Sequence, residues 1–169
     1  MKKAFCLLLL MAIFIPSNAQ RITFGSFSLL RDQIRVKLIV DFSEADIMGM
    51  TEQEFSEYEE DWEHDKVEIV SLFHNYANEK LKGRLMLGNY RQDTAFMLRL
   101  VVRTVDVRGN YDCDLYLLGN GENGEIIVLA KAEGLSARGG KFGSKLNLMK
   151  DGAEHTGTEL GRFLLKIAK

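Results

Sequence analysis

Apolar and polar positions alternate most regularly over residues 34–42. Ile34, Val36, Leu38, Val40 and Phe42 fall on one side, and Arg35, Lys37, Ile39 and Asp41 on the other. A period of two with one apolar side predicts a half-buried strand. The same pattern returns three times. Over 95–107, Phe96, Leu98, Leu100 and Val102 oppose Met97, Arg99, Val101, Arg103 and Val105; over 111–118, Tyr111, Cys113, Leu115 and Leu117 oppose Asp112, Asp114 and Tyr116. Over 125–133, Ile126, Val128, Ala130 and Ala132 oppose Lys131 and Glu133. The turn Arg108-Gly-Asn110 suits a two-residue hairpin and the run Gly119-Asn-Gly-Glu-Asn-Gly124 a longer one, so these three strands read as an antiparallel meander with one charged face. The mixed stretch 21–33 reads as a lead-in with an edge strand.

Helical spacing fills the rest. Thr51-Glu-Gln-Glu54 is a capping box, in which the Thr hydroxyl accepts from the third helical amide and the Glu reaches back to the cap. Phe55, Tyr58, Trp62, Ile69, Phe73 and Tyr76 follow as an apolar stripe, and Gly83 reads as a left-handed stop to the tract. The run His64-Asp-Lys66 interrupts the stripe, which predicts a break there with Asp65 as a second cap. Trp62 reads as core. A closing helix over 152–167 places Ala153, Leu160, Phe163, Leu164 and Ile167 on its buried side. Gly157 and Gly161, four apart, would let it lie close against a neighbour. The expected fold is α+β: a two-layer sandwich in the order β-α-β-β-β-α, with a mostly antiparallel four- or five-stranded sheet and helices on one face.

Composition changes the picture at the N-terminus. Lys2 and Lys3 precede thirteen almost purely apolar residues, 4–16, and Ser17-Asn-Ala19 is a small-x-small pattern. This predicts a signal peptide over 1–19, cleaved near Ala19-Gln20, with a periplasmic or secreted product and no transmembrane segment. Residues 20–169 then form a single domain, large enough to bury about two-thirds of its unfolded surface. The chain has 22 basic and 24 acidic residues; without Lys2 and Lys3 the balance is 20 against 24, a charge of −4. That mild acidity argues against nucleic-acid binding, which needs a basic face. Cys6 falls within the predicted signal peptide, so Cys113 has no partner for an internal disulfide and reads as a buried thiol.

Candidate chemistry is sparse. His64, His74 and His155 lack metal-ligand spacing, and nothing implies a cofactor. Eight acidic residues between Thr51 and Asp65 read as a solvated helix face rather than a cation site. Asp112 and Asp114 share a strand face on which Arg99, Arg103 and Lys131 are expected, so cross-strand pairing accounts for them. The strongest departure from core patterning is the loop 134–145, with four glycines, three basic residues and Phe142. Its order of glycines and lysines does not match a P-loop, which must run directly into a helix. The reading is a non-catalytic module that binds a protein through Arg138, Gly139, Gly140, Lys141, Phe142 and Lys145. Two alternatives stand beside it: a periplasmic hydrolase using His155 with Asp112 or Asp114, where the helix N-terminus would keep His155 neutral, and an anion or polysaccharide binder using the loop.

The run Gly139-Gly-Lys-Phe-Gly-Ser-Lys-Leu-Asn-Leu-Met-Lys-Asp-Gly-Ala-Glu-His-Thr-Gly157 resembles the C-terminal part of uncharacterised small exported proteins of Gram-negative bacteria, as does Asp41-Phe-Ser ahead of the acidic helix. The order of elements resembles the periplasmic α/β domain of TolB amino-terminal and curli-pore type. The resemblance implies an envelope accessory module with an envelope protein partner, and carries no catalytic residues.

Overall fold

The computed structural model describes residues 20–90, 95–140 and 142–167; the predicted signal peptide lies outside them. The chain runs β1 (Arg21–Gly25), a 3-10 turn (Phe27–Leu30), β2 (Arg35–Asp41), β3 (Asp46–Ile47), α1 (Glu52–Tyr58), α2 (Trp62–Leu81), β4 (Met86–Gly88), β5 (Phe96–Val105), β6 (Tyr111–Asn120), β7 (Ile126–Ala137) and α3 (Lys145–Ile167). The fold is α+β around an open seven-stranded sheet in the order β1-β7-β6-β5-β2-β4, with β3 also paired to β5.

The sheet is mixed rather than mostly antiparallel, and has more strands than expected. β1, β7, β6 and β5 pair antiparallel in sequence, but β2 pairs parallel with both β4 and β5, and β3 parallel with β5. The helical tract carries the chain from β2 across to β4, and such a crossover brings the strands back parallel. β3 and β4 span two and three residues, too short for a period of two to register.

One core unites the layers. Val36, Leu38, Leu98, Leu100, Val102, Cys113, Leu115, Leu117, Ala130 and Ala132 lie in a single cluster with Phe55, Trp62, Ile69, Phe73, Leu160 and Leu164 of the helices. The alternation read from the sequence names most of these strand residues. Ile34 lies ahead of β2 and is exposed. Val105, expected on the charged face, is buried. The cause is a bulge at Arg103, because Val102 opposes Cys113 while Thr104 opposes Asp112. One extra residue reverses the facing of everything after it.

Thr51 caps α1 with the expected box: its hydroxyl accepts from the Glu54 amide, and Glu54 accepts from the Thr51 amide at 2.8 Å. The break falls at 59–61, not at 64–66. Asp65 sits inside α2 as a buried side chain, with Lys150 of α3 at 2.8 Å from Asp65 and 2.8 Å from Glu68. Burying a carboxylate requires a paired cation, so a residue read as a cap is a clamp between helices. The left-handed stop of α2 is Lys82 (φ 51°), with Gly83 following it (φ 78°).

α3 begins at Lys145, about two turns before the expected start, and takes in Leu146-Asn-Leu-Met149. It packs along α2 through its glycines. A Cβ on Gly157 would lie 2.8 Å from the Phe73 carbonyl oxygen, and one on Gly161 2.5 Å from that of Ala77. Among the described residues, no helix is long and apolar enough to cross a membrane.

Candidate functional site

The loop is shorter than the sequence implied. Residues 134–137 belong to β7, Ser144 caps α3 by accepting from the Asn147 amide, and Lys145 opens the helix. Gly134 takes φ +73° where the β6–β7 register shifts between Cys113 and Leu115, so this glycine serves a bulge. The free segment is 138–144.

Both ends of that segment are tied down. The Arg138 carbonyl accepts from Nδ1 of His155 at 2.7 Å, and the Gly139 amide donates to Asn110 Oδ1 at 2.6 Å. A Cβ on Gly139 would lie 2.3 Å from the Arg108 carbonyl oxygen, and one on Gly140 2.1 Å from Asp151 Oδ2. These two glycines allow close approach of the loop to the 106–110 turn and to α3. With its amide spent on Asn110, Gly139 offers none to an anion. At the far end, Lys145 Nζ donates to the Tyr58 hydroxyl at 2.9 Å and stands 4.2 Å from the centre of that ring. Lys141 lies outside the described residues. Phe142 is 91% exposed, the most exposed large apolar side chain described. Of the predicted residues that are described, Gly139 lies against the 106–110 turn, Arg138 and Gly140 against α3, Lys145 turns to α1, and Phe142 projects into solvent.

Beside the loop lies an open cleft of about 660 Å³, whose lining includes Thr104, Asp112, Ser136, Arg138, His155 and Arg162. Asp112 and His155 therefore share a cavity, whereas Asp114 does not line it. His155 is in the third turn of α3, away from the helix N-terminus. Its Nδ1 is committed to a main-chain carbonyl, and among the described residues no hydrogen bond or ion pair joins it to a carboxylate or a hydroxyl. Burial pushes the Asp112 carboxyl up from its ordinary range, and the charge of Asp114 adds to this.

The turn that floors the cleft is predicted by the sequence to be a two-residue hairpin. It spans 106–110, and Asp106 organises it by accepting from the amides of Arg108 (2.8 Å) and Asn110 (3.0 Å). The charged face of the sheet pairs as expected in part. Asp114 meets Arg103 at 3.1 Å and Lys131 at 3.2 Å, while Arg99 turns to Asp41. Burial would raise the Asp41 carboxyl, but the Ser43 amide and Arg99 outweigh it and hold it below its ordinary range. Asp112 feels the charges of Arg103 and Asp114 but makes no ion pair in this network among the described residues.

Sequence reasoning missed Thr104, Ser136 and Arg162. The first two come level with Asp112 through the Arg103 bulge and the extension of β7, neither of which alternation reveals. The turn chemistry of Asp106 was legible, since Asp readily bonds to amides two residues on. Among the described residues, no group of three or more His, Cys, Asp or Glu is placed to hold a metal ion.

No family model matches this chain, and no curated protein matches it. Among solved structures, the chain is similar to the PelC dodecamer of Paraburkholderia phytofirmans, at 16% identity and a TM-score of 0.39, covering 83% of this chain and 97% of that one. A point variant of the same PelC aligns at 15% identity and a TM-score of 0.36, covering 83% and 95%. At these scores the likeness bears on neither function nor assembly.

Proposed function

We propose that the chain is an exported, non-catalytic binding module of the cell envelope, and that its partner is a protein docking on the tip of the 138–144 loop. The observation that carries this reading is Phe142, 91% exposed on a segment held at Arg138, Gly139 and Lys145. An exposed aromatic ring burdens a free protein and rewards a bound one, since aromatic anchors dominate interface energies. A loop fixed at both ends loses little further freedom on binding. Export is supported by the signal-peptide pattern, and the envelope setting by the resemblance of 139–157 to small exported proteins.

Native gel electrophoresis of envelope extracts tests it. The wild-type chain should migrate in a complex that Phe142→Asp abolishes, while the purified variant keeps the wild-type melting temperature. Wild-type and variant chains migrating alike would refute the reading.

A further inference from the structure

β7 outruns its neighbour. The pairing of β1 with β7 ends at Arg21 opposite Glu133, whereas β7 continues past the Gly134 bulge to Ala137, with Leu135, Ser136 and Ala137 opposite Cys113, Asp112 and Tyr111 of β6. Residues 134–137 thus have β6 on one side and, among the described residues, no strand on the other. Unpaired edge amides and carbonyls are a template for another chain. The cleft runs against this part of β7, with Ser136 and Arg138 in one wall and His155 and Thr158 of α3 in the other. A strand edge facing a helix is a geometry in which extended peptides add as a further strand.

The register specifies what an added strand would meet. Thr104 opposes Asp112, and Asp112 opposes Ser136, so the three form a row across β5, β6 and β7. The next place in that row lies beyond the β7 edge. Nearby carboxylates are already used: Asp114 by Arg103 and Lys131, Asp106 by its turn, Glu159 by Arg162. The Asp112 side chain makes no ion pair among the described residues; the Cys113 amide and the charge of Arg103 favour its ionised form, but burial and the charge of Asp114 outweigh them. A cation placed beside it would relieve that cost. Two residues past Ser136, Arg138 has its carbonyl held by His155 while its guanidinium makes no ion pair among the described residues. Residues two apart on an extended strand share a face.

We propose that the cleft receives an extended peptide segment as an added strand along residues 134–137, with a basic side chain set beside Asp112 and an acidic one, two residues away, toward Arg138. The site is separate from the Phe142 tip and stands without it.

Two acetylated and amidated seven-residue peptides test it, one carrying Glu-Thr-Lys at its centre and the other Lys-Thr-Glu, since strand direction decides which order fits; a Glu-Thr-Glu peptide is the control. Amide NMR of the folded chain reads the result. One charge-paired peptide should shift the amides of 135–138 and slow their exchange, the control should bind at least about fivefold more weakly, and Asp112→Asn should erase that difference. Phe142→Asp should leave the binding unchanged. The proposal is overturned by absence of shifts at millimolar peptide, by equal binding of the control, by loss of binding in Phe142→Asp, or by edge amides already slow to exchange in the chain alone.

Discussion

Gly161→Ala tests the packing on which the whole helical layer depends. The added methyl would sit 2.5 Å from the Ala77 carbonyl oxygen, 2.8 Å from Lys80 Cβ and 3.0 Å from Ala77 Cα. A carbon tolerates a carbonyl oxygen at about 3.3 Å, so α3 must retreat from α2 by roughly 0.8 Å or hold a clash. The retreat would loosen Leu160 and Leu164 from Phe73, Ala77 and Leu81, all buried in one core. Overpacking of this kind costs about 1–3 kcal/mol. Against it stands a gain of about 1 kcal/mol, because alanine is the better helix former. The expected net is a loss of up to about 2 kcal/mol, or up to roughly 8 °C in melting temperature for a domain of this size. Ser71→Ala, at an exposed position of α2, is the control and should be neutral or gain a few tenths of a kcal/mol. Thermal unfolding followed by circular dichroism reads both. A Gly161→Ala chain more stable than wild type by about 1 kcal/mol, the gain of an unhindered helix position, would refute the close approach of α3 to α2.

Lys150→Met leaves Asp65, 12% exposed, without its cation and should cost about 2 kcal/mol in urea unfolding, less than a fully buried pair would because Lys150 keeps 23% exposure; Lys80→Met, at a surface pair, should cost a few tenths at most. Burial pushes the Cys113 thiol well up, with Asp112 and Asp114 adding to it, so the native chain should not react with Ellman's reagent and should yield one thiol in denaturant once residues 1–19 are removed. Because the folded Asp112 carboxyl lies above its unfolded value, its ionisation destabilises the fold as pH rises through that window. Asp112→Asn should therefore raise the melting temperature near about pH 7 and change it little near about pH 3, where the carboxyl is protonated in both states; a gain independent of pH would mean the charge is not its source.

The local signals proved legible and the non-local ones did not. Alternation identified Val36, Leu38, Leu100 and Leu115 as core because their facing follows from the backbone of one strand. The Thr51 box was readable because all its partners lie within three residues. The parallel placement of β2 between β4 and β5 joins residues 51 and 60 apart, and no local pattern encodes it. The start of α3 was misplaced because Gly152 reads as a helix boundary. In the structure it is a mid-helix contact, where a Cβ would lie 1.8 Å from the Gly109 carbonyl oxygen and 2.9 Å from the Tyr111 ring. Tertiary packing, rather than propensity, decides that position. The loop was visible through its glycines, and its anchors were not, since Asn110 and His155 lie 29 and 17 residues from their loop partners. The cleft was invisible because it depends on a one-residue bulge.

Site-specific photo-crosslinking in the native envelope tests the central claim most directly. A crosslinker at position 142 should give one discrete protein adduct, and the same group at position 67, an exposed apolar site on α2, should give none. No adduct at 142, or the same adducts from both positions, would contradict a docking role for the Phe142 tip.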